Sequence, residues 1–491
     1  MKYIKLHFVL LLSILISILI ITYFGFVRRP ILIGDGIEYY SMLESFYLHF
    51  SPEQRDTDIT SLVSKARLLD ESSFNFLKGT PHYFYVEASD NNYYPIHFWG
   101  YAIISLPAKS LLSFTGQDQM KAFQLTNSIL LSVLIIYLSI QIKLKSNFRK
   151  VLFILFVLFS PATLYISWPH PELMCFVFVI MSLLLFLDKK IKLAIFFSAL
   201  STMQNPPVIL LVGFFYILFI KRLIKKISIK ELLMSIIALS PIIINYTYSL
   251  IVYKSLNPLI VLGYSKSENL SFFKTLELYF DPNLGVMIYE PFILFLSISF
   301  IIYVIYKLAK HKTITNQERF VIILGIITLM ENFASTSTIN WNSGALGSAR
   351  YTTWSITPFL LITFFIFLNK INSNNQRWIS CILFVSLLIN IVVCSFTYIK
   401  DNNEFYFSPV GNFVLRYIPE IYNPSYEIFS QKALGSPELY KTEASIYLYN
   451  GHCTKALAFN NNEGQLSQIR AVCGKLGIVS FCDKGSCYYD F

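Results

Sequence analysis

The chain has 491 residues, of which 55% are hydrophobic and only 14% are charged. Soluble domains carry about 25% charged residues, so this composition argues against a soluble protein and indicates a helical integral membrane protein. The formal net charge of +11 lies mostly in short loops between apolar runs, where it suits anionic lipid headgroups, and we therefore expect no nucleic-acid partner.

Apolar runs long enough to cross a bilayer recur from the N-terminus to about residue 398. The first run, 8–27, is too long for a signal-peptide core and lacks a cleavage site, so we expect a retained anchor. The positive-inside rule places five basic loops in the cytoplasm, namely 143–150, 189–192, 221–230, 307–319 and 370–377. The sequence therefore predicts eleven spans, with the N-terminus inside and the C-terminus outside: 8–27, 124–142, 151–167, 172–187, 191–204, 206–220, 231–253, 290–306, 319–335, 352–369 and 377–398.

The segment 97–114 is also apolar, but counting it as a span would place the loop 143–150 outside. We therefore expect it to form a helix in the outer interface. The sequence predicts a helical transmembrane domain over 1–398, which includes a long first outer loop at 28–123, and a small outer α/β domain over 399–491.

Four cysteines fall in the C-terminal region: Cys453, Cys473, Cys482 and Cys487. An even number in a region predicted to lie outside the cell favours two disulfides, with all three pairings open. A zinc site is the alternative, although the paired C-x-x-C spacing of such sites is missing.

Carboxylates open the first outer loop in "GDGIEYY", where Asp35 and Glu38 precede an apolar periodicity of three and four residues. This pattern predicts a helix, and both residues suit a helix cap as well as they suit a catalytic site. Later in the loop, "YYPIHFWGY" contains Tyr94 and His97. Aromatic residues of this kind form membrane-interface belts and also stack on sugar rings.

The outer turn "SWPHPEL" holds His170 between two prolines and places Glu172 at the start of a span. The helix dipole favours a carboxylate in that position, and a rigid polar site is the alternative interpretation. Later outer loops carry further candidates, which are Asp281, Glu290, Trp341 and Arg350. Arg350 suits a phosphate or pyrophosphate, although a single interfacial arginine can also reach lipid phosphate.

Taken in chain order, these segments resemble the GT-C class of integral-membrane glycosyltransferases. The resemblance covers most of the chain and is carried by "GDGIEYY", "YYPIHFWGYAIISLP", "HPEL", "FDPNLGVMIYEP", "ARYTTWSITPFLL" and "PEIYNPSYEIFSQKALG". In length and organisation the chain is similar to bacterial glucosyltransferases that convert the serotype by modifying O-antigen, a part of lipopolysaccharide. The resemblance implies transfer of glucose or another hexose from a polyprenyl-phosphate carrier to a polysaccharide at the periplasmic face of the inner membrane.

The resemblance also implies roles for single residues. Asp35 matches the catalytic base, with Glu38 as the second candidate because Gly36 and Ile37 separate the two acids. Glu172 matches a second acidic residue of the family, and Arg350 would lie beside the carrier phosphate. The remaining substrate-binding candidates are Tyr94, His97, His170, Asp281, Glu290 and Trp341.

The chemistry needs a carboxylate because an acceptor hydroxyl is a poor nucleophile near neutral pH. A divalent metal is compatible with this reaction but not required. Nucleotide-binding and common hydrolase motifs are missing from the sequence. The alternatives are an O-antigen polymerase or ligase, a flippase for lipid-linked sugars, and a non-catalytic envelope protein.

Overall fold

The computed structural model describes residues 2–30, 35–66, 85–87, 92–142, 144–224, 228–339, 341, 347–370, 376–399, 405–435, 443–460, 462–483 and 485–491. Helices form most of this part of the chain, as expected where the backbone must satisfy its hydrogen bonds in lipid. They are α1 (Lys2–Thr22), α2 (Gly36–His49), α3 (Asp56–Ala66), α4 (Gly100–Phe114), α5 (Ala122–Gln141), α6 (Asn147–Leu158), α7 (Glu172–Leu187), α8 (Ile191–Thr202), α9 (Ile209–Leu223), α10 (Ile229–Tyr253), α11 (Pro258–Val261), α12 (Phe272–Phe280), α13 (Val286–Tyr289), α14 (Pro291–Ala309), α15 (Asn316–Ser335), α16 (Arg350–Trp354), α17 (Ile356–Lys370), α18 (Gln376–Ile399), α19 (Pro409–Tyr417), α20 (Tyr426–Leu434) and α21 (Glu463–Cys473).

Six described helices are long and apolar enough to cross a membrane, and a seventh is added if the bent pair Asn147–Leu158 and Pro161–Ser167 forms one span. The six are Phe8–Val27, Gln119–Gln141, Pro206–Leu223, Ile229–Val261, Pro291–Ala309 and Arg350–Lys370. Each overlaps one of the eleven predicted spans. The other predicted spans fall on the bent pair or on shorter or less apolar helices, so the number eleven stays a prediction.

Helix α7 forms the centre of the bundle. Its residues are buried from Glu172 to Leu185, and it packs against α5, α8, α16 and α17. Helix α1 lies at the periphery and packs against α5. Only 22% of the residues in the apolar stretch of Phe8–Val27 are buried, compared with 89% in that of Arg350–Lys370. The central helices therefore bury their side chains in protein, whereas α1 presents most of its apolar surface outward.

The described part of the segment predicted as the first outer loop packs onto the start of this bundle. Helix α2 packs against α3 and α4, and α4 also packs against α5. A short antiparallel hairpin joins β1 (Tyr85–Glu87) to β2 (Tyr93–Pro95). Helix α4 corresponds to the segment predicted as an interfacial helix, and its location relative to lipid stays a prediction.

The C-terminal region contains a four-stranded antiparallel sheet. Its strands are β3 (Ser445–Tyr449), β4 (His452–Phe459), β5 (Ile478–Asp483) and β6 (Ser486–Asp490), in the order β3-β4-β6-β5. Helix α21 packs on β4. Disulfides join Cys453 to Cys473 and Cys482 to Cys487. The structure thus pairs all four predicted cysteines with one another and leaves no thiolates for the alternative zinc site.

Candidate functional site

Helix ends from segments that are far apart in the sequence meet around a cavity of about 290 Å³. The predicted site residues that line it are Asp35, His97, Glu172 and Arg350. Asp35 precedes α2, Glu172 begins α7 and Arg350 begins α16. These residues are up to 315 positions apart in the chain. The fold brings four residues, each only a weak candidate in the sequence, together in one polar site.

Asp35 and Arg350 form the central ion pair of the cavity. Nη1 of Arg350 donates to Oδ2 of Asp35 over 2.9 Å, and both side chains are partly shielded, with 12% and 23% of their surfaces exposed. Within the described part of the chain, Nε of Arg350 has no hydrogen-bond partner. The guanidinium group therefore retains one buried donor that is not used by the described residues.

His97 connects the two acidic residues of the first loop. Its backbone N–H donates to Oε1 of Glu38 over 2.7 Å, and its Nδ1 lies 2.5 Å from Oε2 of the same carboxylate. The other ring nitrogen, Nε2, lies 3.6 Å from Oδ2 of Asp35. The side chain of Glu38 is completely buried, so Glu38 orients His97 and does not itself line the cavity.

Of the two interpretations that the sequence left open for Asp35 and Glu38, the helix cap is not observed. Asp35 occupies the N-cap position of α2, but its side chain makes no capping hydrogen bond. Its carboxylate points to Arg350, and that of Glu38 points to His97. The local sequence is compatible with a cap, but charged partners from distant segments compete more strongly for these oxygens.

Electrostatic interactions shift the pKa values of these groups in different directions. Burial alone would raise the pKa of Asp35, but His97, Arg350 and His170 together hold it well below its usual range. Burial raises the pKa of Glu38 despite its contact with His97. Burial would lower the pKa of His97, but Glu38 and Asp35 outweigh it and raise that pKa to about 9. Near neutral pH the cavity therefore holds two cations, His97 and Arg350, around an ionised Asp35.

Glu172, the first residue of α7, lines the adjacent wall of the cavity, and His170 lies in the preceding turn between two prolines. Glu172 is buried, and its Oε2 has no hydrogen-bond partner among the described residues. The His170 ring packs between Trp168 and Tyr39, with ring centroids 4.7 and 5.7 Å away. The rigid turn predicted from the sequence is present, and its histidine and glutamate both lie beside Asp35.

Gly36 explains why the first loop can approach this turn so closely. A Cβ atom at position 36 would lie 2.5 Å from Cγ of Pro169, which is closer than atoms pack. The amide of Asn127 in α5 holds the turn from below, through the carbonyl oxygens of Tyr165, Ile166 and Trp168. The glycine after Asp35 is therefore a packing requirement of the site.

The sequence reasoning missed a neutral polar wall of the cavity. It is formed by Asn205, Asn257, Ser335, Ser337 and Thr338, which lie at or beyond the ends of α8, α10 and α15. Amide and hydroxyl groups of this kind suit hydrogen bonding to a hydroxyl-rich ligand. The break at Pro206 and Pro207 was the available signal, because it leaves the preceding asparagine outside a regular helix.

The remaining predicted site residues lie away from the cavity lining. Tyr94 is buried edge-on against Tyr253, and Trp341 is buried beneath Lys274. The carboxylate of Asp281 accepts hydrogen bonds from the hydroxyl of Tyr422 and from two backbone N–H groups of its own turn.

Glu290 is completely buried at the start of α14, and its carboxylate oxygens have no hydrogen-bond partners among the described residues. Metal ligation is not indicated in the described part of the chain, because no three His, Cys, Asp or Glu residues form a suitable group there. The site that the structure assembles is therefore a cation-flanked carboxylate with a neutral polar wall.

A second cavity, of about 470 Å³, lies at the opposite end of the bundle. It is lined by the ends of α5, α7 and α17 and by Gln317 near the start of α15. None of the predicted site residues lines it. No protein-family model, curated protein or solved structure matches the chain, so functional inference rests on the first cavity.

Proposed function

We propose that this chain is a GT-C-like glycosyltransferase that transfers a hexose from a polyprenyl-phosphate carrier to a cell-surface polysaccharide such as O-antigen. The observation that carries the proposal is the ion pair of Asp35 with Arg350 in a cavity that also holds His97. A carboxylate for the acceptor and two cations for a phosphate are the groups that this reaction needs.

The proposal includes an orientation. Eleven spans with a cytoplasmic N-terminus place the cavity at the periplasmic face of the bacterial inner membrane. The support for this orientation is the positive-inside rule, since the predicted cytoplasmic loops are rich in lysine and arginine. At that face, the lipid-linked donor can reach the cavity from the membrane while the polysaccharide acceptor approaches from the periplasm.

In the proposed reaction, the acceptor hydroxyl attacks the anomeric carbon of the donor sugar. The bond from that carbon to the carrier phosphate breaks, and the phosphate leaves on the polyprenyl chain with the bonding electrons. Asp35 accepts the hydroxyl proton. Arg350 and His97 compensate the charge of the leaving phosphate, which is the largest charge that develops.

The ion pair gives this scheme a defined order of events. While Arg350 is paired with Asp35, the pKa of Asp35 is well below its usual range and the carboxylate is a weak base. A donor phosphate that draws Arg350 toward itself weakens this pairing and makes Asp35 more basic. Donor binding thereby prepares the base for the acceptor.

The neutral polar wall supports a neutral hexose over a charged sugar. Asn205, Asn257 and Thr338 offer amide and hydroxyl groups to sugar hydroxyls without adding charge. A divalent metal is not part of the scheme.

Purified protein in detergent, supplied with polyprenyl-phosphate hexose and polysaccharide acceptor, tests the proposal. A transferase adds a fixed hexose mass to the acceptor without any membrane compartment. A flippase forms no product under these conditions, and a polymerase or ligase changes chain length or attachment. Product formation that depends on Asp35 supports the proposal, and either of the other two outcomes contradicts it.

A further inference from the structure

An apolar stripe is exposed on α19, which begins ten residues after α18 ends at Ile399. Val410, Phe413 and Tyr417 expose 40%, 57% and 56% of their surfaces. Their spacing of three and four residues places them on one face of the helix. The opposite face is buried through Gly411 and Leu415.

Specific contacts fix this helix with its apolar stripe outward. Asn283 accepts the backbone N–H of Ser408 over 2.9 Å. Gly411 lies so close to Asn283 that a Cβ atom there would be 2.1 Å from Oδ1. The hydroxyl of Tyr447 donates to Asn412 over 2.8 Å. Because these contacts bind the inner face, α19 cannot rotate to bury Phe413 without breaking them.

Helix α12, just before Asn283, also presents apolar residues outward. Its exposed residues are Phe272, Phe273, Leu276 and Phe280, whereas Thr275, Glu277 and Leu278 are buried. A surface helix in water presents a polar face to the solvent. An outer face with this many large apolar side chains is expected where that face contacts lipid.

We propose that α19 and α12 lie in the membrane interface, with Phe413 and Leu276 in contact with lipid, and that they hold the C-terminal domain against the bilayer. The linker from Ile399 to Pro409 reaches at most about 35 Å when fully extended, so α19 begins within that distance of the end of α18. Tyr406, which precedes α19, and Tyr417 within the stripe are both exposed, and tyrosine is favoured at membrane interfaces.

Lipid is favoured over a protein partner because the candidate spanning helices expose the same kind of side chain. Exposed large apolar side chains recur along α1, α10 and α14, the candidate spanning helices. An interfacial position of α12 and α19 would also stabilise the candidate site. The turn that contains Asn283 is attached to that site, because the carbonyl of Leu284 accepts the backbone N–H of Ala349, next to Arg350. The proposal does not depend on which reaction the chain performs.

Site-specific photo-crosslinking in the full-length protein tests the proposal. Benzoylphenylalanine replaces Phe413, Leu276 or Glu463 in separate variants, which are reconstituted into phospholipid nanodiscs and irradiated. Glu463 is the control, because its side chain is 83% exposed at the start of α21. All three positions are exposed, so these replacements leave the core unchanged. Lipid adducts are measured by mass spectrometry of the intact protein.

The expected result is roughly tenfold or more lipid adduct at positions 413 and 276 than at 463, since transfer of a large apolar side chain to hydrocarbon favours lipid by at least that factor. Lipid adduct at 413 no higher than at 463 would overturn the proposal. Crosslinks from 413 to a second copy of the chain would also overturn it and would assign the stripe to a dimer contact.

Discussion

Two groups of carboxylates differ in what their oxygens contact. In the cavity, Asp35 faces Arg350 and His97 beside open space. At the junction between the turn after α12 and the C-terminal region, Asp281 and Glu277 accept hydrogen bonds from Tyr422 and Ser425. We call the second group, with Asn283, Lys274 and Glu427, the tail junction.

The two groups differ in whether the carboxylate oxygens already accept hydrogen bonds from donors of the protein. Each oxygen of Asp281 is already occupied by donors from the protein, and Lys274 pairs with Glu427 over 2.6 Å. Burial, with the nearby Asp281, raises the pKa of Glu277 well above its usual range, which suits a group that holds elements together without charge. These contacts are compatible with the proposed catalytic role of Asp35 and indicate a structural role for Asp281 and Glu277 in attaching the C-terminal region.

Replacement of Asp35 gives the largest expected effect and tests the first half of the comparison. Asp35→Asn removes the proposed base with little change in size, and transfer should fall by about 10²–10⁴-fold. The measurement is kcat in detergent with purified donor and acceptor. Thermal unfolding of the same sample serves as the control and should change little. Transfer at the normal rate would remove Asp35 as the base.

Arg350→Lys tests whether the cavity holds a phosphate through a planar guanidinium. Lysine keeps the charge but loses the paired donors, so kcat/KM for the donor should fall by about 10²-fold. Arg416→Lys, in α19, is the matched control and should leave kcat/KM unchanged. Equal effects of the two variants would argue against a specific phosphate contact at Arg350.

The pH dependence of transfer tests the role of His97 as a cation. Its pKa is raised to about 9, so the positive charge is present below that pH and is lost as the pH rises through it. The value of kcat/KM for the donor should therefore decrease above about pH 9. His97→Gln should have a lower kcat/KM at neutral pH and should lack this decrease. A decrease of the same size in both proteins would assign it to another group.

Glu38→Gln distinguishes a positioning role from a catalytic one. Without the carboxylate beside Nδ1, the pKa of His97 should fall by about one unit or more, and the alkaline decrease in kcat/KM should move to lower pH. Activity should remain well above that of Asp35→Asn. A loss as large as that of Asp35→Asn, with no shift of the pH profile, would make Glu38 the base.

Asp281→Asn should have the smallest effect on transfer and a clear effect on stability. The substitution removes the charged acceptor for Tyr422 in a buried site, which should cost about 1–3 kcal/mol. Thermal unfolding should begin at a lower temperature, while transfer per folded molecule should stay near normal. A large loss of transfer without a loss of stability would place Asp281 in the reaction.

Candidate membrane-spanning helices could be predicted from the sequence because the length of an apolar run is a local property. Six predicted spans overlap helices that are long and apolar enough to cross a membrane, and the disulfide prediction was narrowed from three pairings to one. Shorter helices such as α7 are buried among other helices, so their length alone does not identify them as spans.

The hydrogen-bond and ion-pair partners of the acidic residues could not be predicted from the sequence in the same way. "GDGIEYY" satisfies a helix-cap pattern, yet Asp35 and Glu38 contact Arg350 and His97, which come from distant segments. Asp281 resembles a site residue in sequence, but the hydroxyl that donates to its carboxylate, that of Tyr422, lies 141 positions away. The partner that a carboxylate contacts over such sequence separations depends on which donors the fold brings near it, and not on the local spacing of residues.

Mass spectrometry of surface polysaccharide tests the central claim most directly. Cells without the gene are compared with cells that carry the normal protein or Asp35→Asn, with the amount of membrane protein verified in each. The account predicts a fixed added hexose mass per repeat with the normal protein only. Unchanged polysaccharide in all three strains, a change of chain length instead of added mass, or full modification with Asp35→Asn would contradict it.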